Sequence, residues 1–337
     1  MNDSAADDAP IIIPEVMIPE VMAFSFDSDG APTPVDIGAA PGETAVEQDF
    51  RWVHVRRDTA DALGVLQHCG LDPFVIEALT AEETRPRCSL HENGAILILR
   101  GVNLNPGAEP EDMVSVRLWV EGHQIVGVWV RPSTAVADLM VAIQRGRGPT
   151  SPGDLVAKLT AHLVDRAEPV VASLNERIDD MEETVLTAVT TALRIELTKV
   201  RRTAILLRRY MFPQRDALTT LEIEDLPWLH EMDRHRIREA GNRVTRLGEE
   251  LDAIRERATI IYDEIMNRQS ETMNKHMLTL SIVAAIFLPL SLLTGLLGIN
   301  VGGIPGGDSP WGFTLVTVLL LILGGLQYLV IRKMKLF

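Results

Sequence analysis

The spacing of apolar positions changes twice along this chain of 337 residues. Up to residue 148 they fall in short runs rich in Val, Ile and Trp: Val21–Ser25, Arg51–Val55, Ala95–Val102, Val114–Val120 and Gln124–Arg131. Gly, Pro, Asn or Asp bound several of these runs, which predicts strands. Helical patterns fall between them at Thr59–His68, Pro73–Leu79 and Ser133–Arg145. Strands interrupted by helices predict an α/β domain over residues 1–148, with an α+β arrangement as the alternative. The first ten residues, with Asp3, Asp7 and Asp8, read as a disordered acidic tail. Residues 11–26 are apolar, but Pro14, Glu15, Pro19 and Glu20 interrupt them and no basic segment precedes them. They do not read as a secretory signal, so this domain is expected in the cytosol.

A Gly/Pro-rich segment, RGRGPTSPG over 145–153, reads as a linker. Beyond it the pattern becomes helical. Residues 154–210 hold no Gly and only one Pro, Pro169, and predict long helices with a break near Thr190–Thr191. A basic stretch there (Arg194, Lys199, Arg201, Arg202, Arg208, Arg209) is expected to pair with acids such as Asp179, Asp180, Glu182 and Glu183 on a neighbouring helix rather than to bind RNA. Further on, Ile237, Ala240, Val244, Leu247, Leu251, Ile254, Ala258, Ile261 and Ile265 follow one another at alternating steps of three and four. This heptad seam predicts a helix packed along its length on a partner helix. If that helix runs unbroken over 232–297 it spans roughly 100 Å at ~1.5 Å per residue. That is too long for a compact domain, so residues 154–276 are expected to form a helical stalk.

The third regime is continuous apolarity. Met277–Leu297 and Gly312–Ile331 carry no charge, and each is long enough to cross a hydrocarbon core of ~30 Å. Arg268, Lys275 and His276 precede the first span. Arg332, Lys333 and Lys335 follow the second, in a short basic tail over 332–337. The connecting loop, 298–311, has only Asp308. The positive-inside rule therefore places both termini in the cytosol and the loop outside. Two helices cannot enclose a pore, so a transport path requires several subunits, each contributing one helix.

One face of the first long helix suggests how. Asp263, Asn267, Ser270, Asn274, Met277, Ser281, Ala284, Leu288, Ser291, Gly295 and Gly298 form a line roughly opposite the seam, polar before the span and small or weakly polar through much of it. Inside a membrane such residues face a cavity or another helix. The pattern suits either a pore wall or a helix-packing interface through Ser291 and Gly295.

Composition narrows the chemistry. The net charge of −15 disfavours nucleic acid as a partner, because phosphate binding needs a basic surface. An acidic surface instead concentrates cations, although it also serves plain solubility. Cys69 and Cys88 lack CxxC spacing and are expected as buried thiols in a reducing compartment. His54, His68, His91 and His123 show no ligand spacing. No phosphate loop, nucleophile elbow or HExxH is present, so an enzyme is not expected, and no resident cofactor is implied.

Gly298-Ile299-Asn300 stands just past the first span, two spans from the C-terminus. It resembles the Gly-Met-Asn signature of the CorA family of divalent-cation channels, in a Gly-Ile-Asn form. The surrounding run, MLTLSIVAAIFLPLSLLTGLLGINVGGIPG, is similar to the ZntB branch, and the resemblance is strong over about 230–337. It implies a homopentameric funnel in the bacterial inner membrane, with the first span lining the pore and Asn300 forming an outer ring that meets the hydrated ion. Pore-facing positions implied by the family are Asn274, Met277, Leu280, Ala284, Leu288, Ser291 and Gly295. They differ from the line above only in preferring Leu280 to Ser281. Arg332, Lys333 and Lys335 match a basic collar at the inner mouth. Amide oxygens can hold the water shell of a divalent ion without trapping it. Magnesium-type members commonly carry an acid in the outer loop where this chain has Ile304-Pro305-Gly306. The resemblance thus implies Zn²⁺ as cargo, with proton coupling, over a CorA-type Mg²⁺, Co²⁺ or Ni²⁺ channel. A membrane-anchored coiled-coil signalling protein is the reading of a different class, since the seam would suit it.

Residues 277–337 carry one acid and three bases, which leaves −17 for residues 1–276. Glu249, Asp252, Glu256 and Asp263 lie on the helix face away from the seam. They are expected either to line an acidic cytosolic funnel or to form the solvated side of an amphipathic helix.

Overall fold

The computed structural model describes residues 18–36, 50–187, 190–299 and 310–333. The acidic tail at residues 1–10, Asn300, most of the outer loop and Lys335 lie outside the described residues. The chain divides into two compact units, residues 1–261 and 262–337, each described by itself below.

The first unit is built on a seven-stranded sheet in the order β2-β1-β3-β7-β6-β5-β4. The strands are β1 (Val21–Phe26), β2 (Pro32–Pro34), β3 (Phe50–Arg56), β4 (Arg87–His91), β5 (Gly94–Gly101), β6 (Val114–Glu121) and β7 (Gln124–Trp129). All neighbours are antiparallel except β3 and β7, whose parallel register sets Val53 beside Val126 and Val55 beside Val128. The five expected strands are all present. The two others, β2 and β4, are the edges of the sheet. Edge strands bury little, so RCSLH and PTP carry no apolar run, and the prolines of β2 are tolerated where no further strand pairs.

Alternation sorts the strand residues onto two faces. Val53, Val55, Ile96, Ile98, Trp119, Val126 and Val128 pack with Leu66 of α1 (Ala62–His68) and with Val75 and Leu79 of α2 (Pro73–Thr80). Arg117 of β6 is buried at the C-terminal end of α2. Its guanidinium donates to the Leu79 carbonyl at 2.9 Å and the Ala81 carbonyl at 2.5 Å. A cation there satisfies carbonyls that the helix leaves open. Burial, then the charges of Arg57 and Arg100, push its pKa down to about 10.

His54 lies on the other face, between the rings of Trp52 and Trp129. A Cβ on Gly127 would come within 2.2 Å of its Nδ1, so only glycine fits opposite it. Burial pushes the His54 pKa down to about 3, and the side chain is a neutral part of the core.

The remaining helices of this unit are α3 (Thr134–Gln144), α4 (Pro152–Thr187), α5 (Thr191–Ile223) and the first part of α6 (Glu231–Leu297). The expected break near Thr190 is the start of α5, where the Thr190 hydroxyl caps the Leu193 amide at 3.1 Å. α4 and α5 pack on the sheet and are not separated from it by a linker. Leu163 abuts Gly101, and the Gln214 side chain accepts from the Arg100 amide at 2.7 Å. A domain boundary near 148 is therefore not a boundary in packing.

The seam on α6 is closed by its own chain. All nine seam residues, from Ile237 to Ile265, are buried. Gly241 meets Leu218 and Gly248 meets Met211 and Phe212, so α5 lies against α6. Arginines clasp α6 to α4: Arg243 binds Asp165 at 2.7 Å and Glu168 at 2.8 Å, and Arg257 binds Asp179 and, at 2.8 Å, Glu182. Two expectations change here. The acids Asp179 and Glu182 pair with Arg257 of α6 and not with the basic stretch of α5. The seam, expected to need a partner surface, finds it within the subunit, and so does not by itself call for an oligomer. Ile254→Ala is expected to cost about 2–5 kcal/mol of stability, as a cavity in a packed core does, while leaving the number of subunits unchanged. Denaturant unfolding and mass measurement in detergent check the two halves. A change in assembly with unchanged stability would place the seam between subunits after all.

Candidate functional site: one open face of a membrane helix

The second unit contains the end of α6 and α7 (Gly312–Lys333). Both are long and apolar enough to cross a membrane. α7 continues two residues past the expected span and ends on Arg332 and Lys333, bases that also suit a helix C-terminus. Within α6, Ile282 is buried (7% exposed) and Ile286, Pro289, Leu290, Leu293 and Leu297 are half-buried. On α7 the half-buried positions are Gly312, Val316, Leu320, Leu323, Gly324 and Gln327, again one face. Leu290 and Thr294 of α6 share an apolar groove with Leu320 and Gly324 of α7, which places these two faces towards each other.

The sequence-derived line falls elsewhere. Asn274, Met277, Leu280, Ser281, Ala284, Leu288, Ser291 and Gly295 are all exposed. Ala284, Leu288, Ser291 and Gly295 each stand two residues past a member of the α7-facing set, Ile282, Ile286, Pro289 and Leu293. Two residues turn a helix by about 200°. The line is therefore on the side of α6 that α7 leaves open. A Cβ added to Gly295 would meet nothing within 4 Å, so close approach of another helix or of an ion is unobstructed there. The hydroxyls of Thr279, Thr294 and Thr317 donate to carbonyls of their own helices, at 2.9 Å, 3.0 Å and 2.9 Å, as hydroxyls in hydrocarbon must.

At the C-terminal end of α6, the Gly298 amide donates to the Thr294 carbonyl at 2.9 Å and closes the helix, leaving Ile299 exposed. Asn300 itself lies beyond the described residues. Ahead of the apolar run, Asp263, Asn267 and Ser270 are exposed as well.

The four acids proposed for a funnel are not equivalent. Glu249, Glu256 and Asp263 are exposed. Asp252 is half-buried and bridges Arg208 of α5 and, at 3.4 Å, Arg255, so its charge is already answered within the subunit. No group of three or more His, Cys, Asp or Glu side chains among the described residues could hold a metal ion. What the described residues offer here is an open face along an apolar helix.

Known proteins place this architecture. Residues 47–333 match the family model described as CorA-like Mg²⁺ transporter protein. The chain is 39% identical over 291 residues to the divalent cation transporter CmaX of Pseudomonas aeruginosa, covering 86% of this chain and 88% of that one. It is 35% identical over 312 residues to the zinc transport protein ZntB of Pectobacterium carotovorum, covering 91% and 93%. Among solved structures, full-length CmaX superposes with a TM-score of 0.81 at 36% identity, over 93% of this chain and 97% of that one. The CorA magnesium transporter of Methanocaldococcus jannaschii gives 0.78 at 18% identity, over 93% and 98%, a likeness of fold.

The open face can be probed by single cysteines. Burial raises the pKa of both native thiols, that of Cys88 to about 12 with help from Glu224, so they stay protonated and label slowly. Ala284→Cys is expected to react with a membrane-impermeant, water-soluble thiol reagent at least about tenfold faster than Ile282→Cys, since only water beside the thiol lets it ionise. Equal rates, read by mass shift in vesicles, would mean that lipid or another helix covers both faces.

Proposed function

The chain belongs to the family of CorA-like Mg²⁺ transporters, and within it we propose that its cargo is Zn²⁺, moved with coupling to protons across the bacterial inner membrane. The observation that carries the pore assignment is the exposed line on α6, opposite the face covered by α7. Two spans per chain cannot wall a path, so copies must assemble with this line facing a common axis. A homopentamer gives each copy one α6 in the wall. Asn300 would then stand five times at the outer mouth, where amide oxygens can bond the ion's water shell and still release it. Arg332, Lys333 and Lys335 would collar the inner mouth, with both termini in the cytosol, as the excess of bases on that side favours.

The preference for Zn²⁺ over Mg²⁺ rests on two supports. One is the 35% identity to a zinc transport protein over nearly the whole chain. The other is the outer loop, which has Ile304-Pro305-Gly306 and no acid at that point to hold a strongly hydrated Mg²⁺. The anchored-signalling reading loses its motive, because the seam that suggested it is filled by α4 and α5.

Metal uptake by the purified protein in liposomes tests the proposal, with Zn²⁺ or Mg²⁺ outside and with or without a pH gradient. Zinc uptake that rises with an inward proton gradient is expected. Uptake of Mg²⁺ alone would move the protein to the magnesium branch. Asn300→Ala is expected to abolish uptake while the assembly keeps its mass on size exclusion. Normal uptake by that variant would remove Asn300 from the path.

Charge gives a second prediction. Replacing Glu249, Glu256 and Asp263 together by Gln or Asn is expected to slow transport at about 0.01 M salt, where fields reach ~30 Å, and to have little effect near 1 M, where they reach ~3 Å. Asp252→Asn serves as the contrast: it removes the partner of Arg208 and is expected to lower stability more than transport. Unchanged transport by the triple variant at low salt would leave these acids as a solvated helix face.

A further inference from the structure

The N-termini of α4 and α6 meet around two carboxylates that the pore reading does not use. Asp154, in the first turn of α4, and Asp233, in the first turn of α6, are each only 5% exposed. Their surroundings differ. Asp154 is well satisfied: its carboxylate accepts from the Thr150 amide at 3.0 Å, from Lys158 at 2.8 Å and from Arg236 at 2.5 Å. Among the described residues, the Asp233 carboxylate has only the Ser151 hydroxyl at 3.4 Å and Arg236 at 3.8 Å. It is nonetheless pressed tightly into place. A Cβ on Gly153 would lie 2.7 Å from its Oδ2 and 3.0 Å from the Trp228 carbonyl, so the first turn of α4 needs glycine at that point.

Two buried carboxylates sharing one cationic bridge do not ionise independently, and the one with fewer donors takes up a proton first. A cavity of about 720 Å³ opens on both, giving water a route. The charged and titratable groups around it are Lys158 from α4, Arg236 from α6, His230 from the segment before α6 and His123 from the β6–β7 turn. We propose that the Asp154–Asp233 pair is a proton-binding site at the start of α6, with Asp233 the residue that takes up the proton and Asp154 the residue that holds Arg236. Burial, and after it the Asp154 charge, raise the Asp233 carboxyl above the ordinary range, against the pull of Arg236, His230 and Ser151. The sign follows from linkage. A carboxyl whose folded pKa is raised costs stability when ionised, so the fold gains stability as pH falls through that value, until the unfolded chain is protonated as well. The site therefore couples cytosolic pH to the junction of the helix that continues into the first span. That coupling bears on transport only if the cation-transport reading holds.

The test uses the full-length protein in detergent, comparing thermal unfolding of wild type, Asp233→Asn and Asp154→Asn from mildly acidic to mildly alkaline pH. Asp233→Asn mimics the protonated state. Its midpoint is expected to match or exceed that of wild type at alkaline pH and to converge with it on acidification. Asp154→Asn is expected to be less stable than wild type throughout. An Asp233→Asn protein as destabilised at alkaline pH as Asp154→Asn would overturn the proposal, since Asp233 would then be an ordinary ion-pair partner. A pH-independent difference between Asp233→Asn and wild type would overturn it equally. A second arm measures Zn²⁺ uptake in liposomes with equal pH on both sides. Wild-type uptake is expected to vary with pH and Asp233→Asn uptake to vary less. Identical pH profiles in the two proteins would overturn the coupling to transport. Absence of uptake by wild type at every pH would instead sink the transport reading, with the unfolding arm still deciding the proton site.

Discussion

A stripe of apolar side chains on α6, recurring every three and four residues, is buried against the α4 and α5 of the same chain, and much else in the protein is arranged around that packing. The stripe commits one face of α6 to the inside of the subunit. Arginines on its flanks fix the neighbours: Arg243 and Arg257 hold α4 at two points fourteen residues apart, and Asp252 holds Arg208 of α5. Pairs of this kind, partly exposed, contribute little each to stability, on the order of 1 kcal/mol or less. Their part is to set register, while apolar burial supplies most of the free energy. Any contact between copies must then use surfaces other than the seam.

The membrane unit obeys a different rule. In hydrocarbon there is no gain from burying one apolar side chain against another, so two spans associate through shape and through small residues such as Gly324. The face of α6 turned to α7 is made mostly of Ile, Leu and Pro, with Thr294 at its edge. The opposite face carries Ser281, Ala284, Ser291 and Gly295 among its larger members. Small and hydroxyl-bearing residues in a span suit water or a further helix better than lipid, and this face carries them. A transporter built from several subunits supplies both.

Charge ahead of the first span is less free than a net of −17 for residues 1–276 suggests. Asp138, Asp165, Glu168, Asp179, Glu182 and Asp252 all face arginines. The field available to attract cations comes from the acids left over, of which Glu249, Glu256 and Asp263 lie exposed on α6. The same accounting separates Asp154, whose charge is matched by Lys158 and Arg236, from Asp233, whose charge is barely answered. Burial with few and distant donors makes Asp233 responsive to pH, whereas an exposed acid would titrate without consequence for the fold.

Periodicity and continuity were legible in the sequence because they are one-dimensional. Strand alternation, the three-four rhythm of α6 and two uncharged runs of twenty residues or so each follow from local geometry and from the thickness of a bilayer. So does the exposed line on α6, since residues two apart lie on opposite sides of any helix. What only the tertiary structure decided was which surfaces meet. A heptad seam states that a partner exists and is silent on whether it belongs to the same chain. The edge strands β2 and β4 bury too little to leave a pattern. The segment Thr150-Ser151-Pro152-Gly153 read as the end of a linker, although a Ser before a Pro at a helix start is a capping signal. That Ser151 reaches Asp233, 82 residues away, is a fact of packing that no local pattern contains.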